Sequence, residues 1–220
     1  MKERNFKLAK SLSVAMLLLG SNLALAETLS VPASVTVNNA IDFTFTGTLN
    51  FGTVRATASS VANDCRVLTL PANPVSPLAA VTTYPILTSD FTAECTVATP
   101  TAALAAVGGT PARPIFTLQG LAPFSSMKLK LPTGTLVDLV GSLPPGSAKF
   151  HIGDFTAWKT TTPAAAITLT AGAGSIQTDS TGKATFTVGA SLSTDSTVIT
   201  GQNYQDAIAY TGNFDVIVTY

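Results

Sequence analysis

Between residues 29 and 51, apolar side chains keep to odd positions: Leu29, Val31, Ala33, Val35, Val37, Ile41, Phe43, Phe45, Leu49 and Phe51. The even positions are mostly Ser, Thr, Asn and Asp. A period of two is what a strand with one buried face requires, and it is incompatible with a helix. The run is too long for one strand of a compact domain. Asn38-Asn39 and Gly47 divide it into an N-terminal arm, 27–39, whose alternating part is 29–37, and a first hairpin, 40–52. The hairpin is expected to pair strand 41–45 with 49–52.

What precedes the arm reads as a secretory leader. Met-Lys-Glu-Arg-Asn-Phe-Lys is cationic, residues 12–20 are apolar, and Ala24-Leu25-Ala26 supplies small residues before a cut between Ala26 and Glu27. The apolar run is well short of the roughly 20 residues that span a bilayer. No Cys follows the cut, which argues against a lipoprotein. Residues 1–26 hold four of the 12 basic and one of the 12 acidic residues. The remainder therefore carries eight against eleven, a formal charge of −3. Eight scattered cations build no basic face, so neither nucleic acid nor an anionic membrane is an expected partner. No later apolar run is long enough for membrane insertion of the mature chain.

Only 11% of residues are charged, against about 25% in ordinary soluble domains. Low charge with abundant Thr, Ser and Val fits a β-rich exported protein. The two cysteines, Cys65 and Cys95, suggest one disulfide in an oxidising compartment. A metal pair is a poor alternative with one histidine and no CxxC. No cofactor is expected.

The segment 53–114 is rich in proline and reads as an irregular insertion ordered by that disulfide. Short strands are expected at 66–70 and 84–87, and one or two helical turns at the Ala-rich 101–107. From residue 115 strand patterns recur, at 115–119, 127–131, 136–140, 149–152, 166–170, 184–192 and 207–220. Gly and Pro clusters, including Gly172-Ala173-Gly174, separate them as turns. Many short strands and no amphipathic helix give an all-β fold, a β-sandwich or barrel, with two packed antiparallel sheets over 40–220 and a disulfide-containing insertion the better fit. In the terminal strand Tyr210, Gly212, Phe214, Val216, Val218 and Tyr220 share one face, with Ile217 the exception on the other.

Three stretches carry a family resemblance: Leu49-Asn50-Phe51-Gly52, Phe116-Thr117-Leu118-Gln119-Gly120, and the ending Tyr210-Thr211-Gly212-Asn213-Phe214-Asp215-Val216-Ile217-Val218-Thr219-Tyr220. On these the chain resembles the DUF4402 family of bacterial exported β-sandwich proteins. That plan is similar to pilin subunits that polymerise by donating an N-terminal strand, and it implies an Ig-like, pilin-like antiparallel β-sandwich. The resemblance implies that Leu29, Val31, Ala33, Val35 and Val37 form a donor strand. It also implies that Phe214, Val216, Val218 and Tyr220 form the terminal strand of the receiving domain. It further implies copies of the chain as partners in a head-to-tail surface filament, with a periplasmic assembly chaperone as a further partner. From the residues alone, the arm serves equally as the first strand of its own sandwich.

Other functions find less in the residues. His151 is the only histidine, and no GxSxG, P-loop or HExxH occurs, so an enzyme is not expected. Asp138, Asp154 and Asp179 fall in separate segments, where turn aspartates are the default. A surface adhesin or carbohydrate-binding sandwich would rest on Trp158, the only tryptophan, whose phase is opposite to Phe155. An outer-membrane barrel fits the length, but four Tyr and one Trp are too few for two aromatic girdles.

Overall fold

A computed structural model describes residues 41–87 and 89–220. The leader, the cut at Ala26 and Glu27, and the arm residues Leu29, Val31, Ala33, Val35 and Val37 lie outside the described residues. Thirteen strands follow in order: β1 (Asp42–Thr46), β2 (Thr53–Thr57), β3 (Val67–Leu70), β4 (Ala79–Ala80), β5 (Ala103–Gly108), β6 (Ile115–Gln119) and β7 (Ser126–Lys130). Then come β8 (Val137–Leu139), β9 (Phe150–Lys159), β10 (Ala165–Ile167), β11 (Ala173–Gln177), β12 (Ala184–Ser193) and β13 (Ile217–Thr219). No helix occurs among the described residues, and every registered strand pair is antiparallel.

β12 is the centre of the fold. One edge pairs with β9, while the other is shared by β6 and β3. Beyond β6 lies β1, beyond β3 lies β4, and β8 and β10 both pair with the far edge of β9. This eight-stranded sheet packs on a three-stranded sheet, β11-β7-β13. Phe116, Leu118, Phe186 and Val188 of the first share one buried core with Met127, Leu129 and Ile176 of the second. The other face of β12 is polar and also covered. Thr187 donates its hydroxyl to the Ala72 carbonyl at 2.7 Å, and Ser191 Oγ lies 2.9 Å from Thr69 Oγ1. A Cβ at Gly189 would stand 2.2 Å from the Leu70 carbonyl oxygen, so only glycine admits the chain crossing there.

Expected strands recur where the alternation is unbroken: 115–119 is β6, and 184–192 falls within β12. The expected 149–152 extends to Lys159 because β9 carries a bulge. Its register against β12 shifts between Gly189 and Ser191, and Asp154 takes φ 49°. The core-facing residues accordingly switch from Phe150 and Ile152 to Phe155 and Ala157. That change of phase ends a strand in the sequence but not in the fold.

Other expectations are corrected. β1 does not form a hairpin with 49–52. It pairs with β6, with Phe43 opposite Leu118 and Phe45 opposite Phe116. Gly47 at φ 78° turns the chain away, and Asn50 bridges Ala112 instead. The Ala-rich 101–107 holds no helical turn but β5, because pairing with β2 overrides alanine's helix preference. The segment 53–114 is not an irregular insertion: it contributes β3 and β4 to the main sheet and the β2–β5 ribbon. Residues 84–87 form no strand; Tyr84 instead uses its phenol oxygen to accept the Val67 N–H at 2.8 Å. Gly172-Ala173-Gly174 is only partly a turn, since β11 starts at Ala173. The terminal strand is regular only over β13.

Cys65 and Cys95 form a disulfide with a Cα–Cα distance of 5.1 Å. They sit in a second, smaller core with Val67 and Phe91. The bridge closes a sequence separation of 30, worth about 3–4 kcal/mol on the chain-entropy estimate. Replacing both cysteines by alanine should lower unfolding free energy by about that amount, read as a lower urea midpoint with a steeper slope, because the unbridged chain exposes more surface when it unfolds.

Candidate functional site

The alternation of β1 sends Phe43 and Phe45 to the core side of the main sheet's edge. Phe45, Phe116 and Phe186 are directly opposite one another across β1, β6 and β12. Their ring centroids are 5.8 and 5.1 Å apart. The ladder runs from fully buried Phe186 to Phe45, which is 67% exposed. An aromatic ring left that open at a core edge marks a surface that lacks its cover among the described residues.

The ladder's outer end lines a cleft of about 450 Å³. One wall is β1 with residues 47–51, the other is residues 212–216, and Phe116, Leu139 and Ile152 form the floor. Phe214 packs against Phe155 with centroids 4.8 Å apart. In the expected terminal strand, Phe214, Val216 and Val218 are half-buried, while Ile217 and Tyr220 are about half exposed. The alternation read from the sequence thus persists where the ladder does not. Thr211 and Val140 exchange two backbone hydrogen bonds of 3.0 Å and fix this wall. At Gly212 a Cβ would meet the Asp138 carbonyl oxygen at 2.3 Å.

Both walls offer backbone. Among the described residues β1 pairs only with β6, and β13 only with β7. Residues 212–216 make no backbone hydrogen bond to any described residue. An apolar cleft between two such edges can accept an extended chain by adding a strand.

The cleft continues into a second compartment of about 640 Å³ between residues 49–56 and 204–210. Here the lining is mixed, with Asn50, Arg55, Gln205 and Asp206 beside Tyr204 and Tyr210. Phe150 stacks on Tyr204 at 4.3 Å and meets Tyr210 edge-on at 5.0 Å. Burial pushes the Tyr204 phenol well above its usual range. Its O–H donates to the Lys149 carbonyl at 2.8 Å and accepts the Asp195 N–H at 2.7 Å.

His151 is buried on β9 beside this cluster. Its Nδ1 is 2.9 Å from Asp138 Oδ1 and its Nε2 is 3.9 Å from Asp195 Oδ1, and neither approach has hydrogen-bond alignment. Asp138 also takes Lys149 Nζ at 2.6 Å. Burial alone would raise the Asp195 carboxyl. The adjacent imidazole, the Thr197 hydroxyl and N–H, and the Lys149 N–H outweigh it and hold the group well below the carboxylate range. At 3.9 Å the imidazole nitrogen itself is beyond hydrogen-bond distance of the carboxylate.

The other carboxylates are engaged elsewhere. Asp90 and Asp154 each accept the other's backbone N–H at 2.8 Å, and burial raises Asp154. Asp179 accepts Thr181 and Lys183 N–H groups in a turn. Asp138, Asp154 and Asp179 are therefore not gathered into one site. Trp158 is half-buried on β9 between Thr187 and Ala166, on the face opposite Phe155. Among the described residues no three His, Cys, Asp or Glu side chains are placed to hold a metal, and no helix is long and apolar enough to cross a membrane.

The sequence singled out Phe214, Val216, Val218 and Tyr220 as the terminal strand, of which Phe214 and Val216 line the cleft; it did not single out Phe45, Phe116, Leu139 or Ile152 for it. The alternation of Phe43 and Phe45 was visible. Their pairing with β6, more than 60 residues away, was not. Comparison with protein-family models, with curated proteins and with solved structures found no match in any of the three.

Asp195 supplies a pH test. Its carboxyl is depressed in the folded state, so its stabilisation is present above about pH 4 and is lost as pH falls below that. Asp195→Asn should be less stable at neutral pH by about 1–3 kcal/mol and should show a shallower loss of stability on acidification than the parent chain. Urea titrations at pH 7, 4 and 3 measure both.

Proposed function

We propose that this chain is an exported structural subunit of a bacterial surface filament. It polymerises when residues 29–37 of one copy fill the apolar cleft of the next. The observation that carries this is the pairing of complements: a cleft with an aromatic floor between two backbone edges, and an arm with five apolar residues in one row. Phe43, Phe45, Phe116, Phe214 and Val216 would receive Leu29, Val31, Ala33, Val35 and Val37. Burying that row contributes on the order of 5–8 kcal/mol at ~1.5–3 kcal/mol per large side chain, before ordering costs.

The contact is head-to-tail. Each copy offers one arm and one cleft, so the assembly stays open at both ends and grows as a fibre. Pro32 lies on the polar row and cannot donate to a ladder, which leaves one edge of the arm unpaired at that point. The low charge of the chain, 11%, suits a subunit whose surface is partly covered by neighbours. Before assembly an open cleft invites aggregation, which is the service an assembly chaperone would provide.

Deleting residues 29–37 should leave a folded, disulfide-bonded monomer that forms no filaments by negative-stain microscopy. Filaments that survive the deletion would refute strand donation. Val35→Asp on the donor side and Phe45→Lys on the acceptor side should each abolish growth by placing a charge in the cleft. A peptide of residues 27–39 should bind the deleted subunit in calorimetry, and its binding should weaken at least tenfold with Phe45→Lys.

A further inference from the structure

Residues 38–40 are all that separates the apolar row from Ile41, the first described residue. At about 3.3 Å per residue, the step from Val37 to Ile41 covers at most roughly 13 Å. When the arm of one copy fills the cleft of another, the end of the donor's sandwich that carries Ile41 is therefore drawn against its neighbour. What that end presents becomes part of the contact.

Five strand ends meet there. Asp42 at the start of β1 stands opposite Gln119 at the end of β6, and Ala184 at the start of β12 stands opposite Leu118. In the smaller sheet, Ser126 at the start of β7 stands opposite Gln177 at the end of β11. The loops 120–125 and 178–183 close this pole. The first of them carries Phe124, which is 63% exposed. β13 reaches the same pole, with Thr219 opposite Lys128, so the half-exposed Tyr220 lies there as well.

Phe124 is held in place, not left loose. Its backbone takes φ 57°, in the left-handed region that a bulky side chain rarely adopts. Its N–H donates to the Asp179 carbonyl at 3.2 Å, and its own carbonyl accepts Gln177 Nε2 at 3.2 Å. The buried Thr178 accepts the Ser125 N–H at 2.8 Å and donates its hydroxyl to the Ala122 carbonyl at 2.9 Å. A Cβ at Gly182 would strike the Leu121 carbonyl oxygen, so the two loops lie tightly together. Strained residues of this kind cluster where the group they present has a use. Glycine would adopt this backbone at no steric cost, so what phenylalanine adds at this position is its ring.

We propose that Phe124 is a second anchor between copies, its ring packing on the mouth of the neighbour's cleft that receives the arm. This rests on the strand-donation reading and adds a contact outside both the arm and the cleft floor. The occupant is a second copy because the short link brings that copy to this pole whenever the arm is engaged. The anchor would set the angle between successive subunits, which residues 38–40 alone leave free.

The test compares Phe124→Gly, which removes the ring and suits the backbone, with Phe124→Tyr, which keeps the ring. Phe124→Gly should unfold at an unchanged or higher urea midpoint. With residues 29–37 deleted, both variants should bind the 27–39 peptide as the parent does. In the full chain, filaments of Phe124→Gly should fail to grow or should show a persistence length several-fold shorter by negative-stain microscopy, and Phe124→Tyr should match the parent. Benzoylphenylalanine at position 124, in filaments mixed from isotope-labelled and unlabelled subunits, should give photo-adducts on residues 43–56 or 204–216 of a neighbour. Phe124→Gly filaments as stiff as the parent's, or no adduct between copies, would overturn the anchor and leave strand donation standing. A lower urea midpoint or lost peptide binding in Phe124→Gly would make the ring part of the fold and overturn the anchor as well. No peptide binding by the deleted parent would refute strand donation itself, and the anchor with it.

Discussion

The fold depends on one strand having neighbours on every side. β12 is paired along both edges and covered on both faces, and nine of its ten residues are buried. It holds β6, β3 and β9 in fixed register. The aromatic ladder follows from that register, because Phe186 sets Phe116, which sets Phe45. Gly189 of β12 sits where the chain leaves β3, and a side chain there would push residues 70–72 away from β12. A protein with few charges and no helix among its described residues thus gains its order from a centrally trapped strand and one disulfide.

The same arrangement produces the cleft. β12 is saturated with partners, whereas the outermost strands are not. β1 ends the main sheet on one side, and β13 ends the smaller sheet. Between β1 and residues 212–216, which lead into β13, the core is left open. The wall of residues 212–216 is held there from behind by the Thr211–Val140 bridge and the close approach of Gly212 to Asp138. Asp138, Lys149 and Asp195 tie β8, the start of β9 and the segment after β12 together. The Lys149–Asp138 pair and the Lys149 N–H to Asp195 hydrogen bond therefore act as fasteners beside the cleft walls.

Much of the fold was legible where a single physical rule applied. Strands β6 and β12 follow from alternation, and the Cys65–Cys95 pair follows from there being two cysteines. The readings that failed did so where a local rule met a distant partner. Alanine favours a helix in isolation, but β2 lies beside residues 103–108. Phase broke at Asp154 because a bulge inserted one residue. The candidate site was half legible for the same reason. Phe214 and Val216 showed their alternation, whereas the floor residues Phe116, Leu139 and Ile152 looked like ordinary strand interior.

By itself the sequence determined the strand-rich class, the disulfide and the apolar row at 29–37, because alternation and residue type are properties of single segments. The tertiary structure decided that β1 turns its edge outward beside β6 instead of closing a hairpin with 49–52. It also decided that the terminal segment stands across from β1. Pairing partners are chosen by the burial of whole faces, and a period of two says which face is apolar but not which strand will cover it.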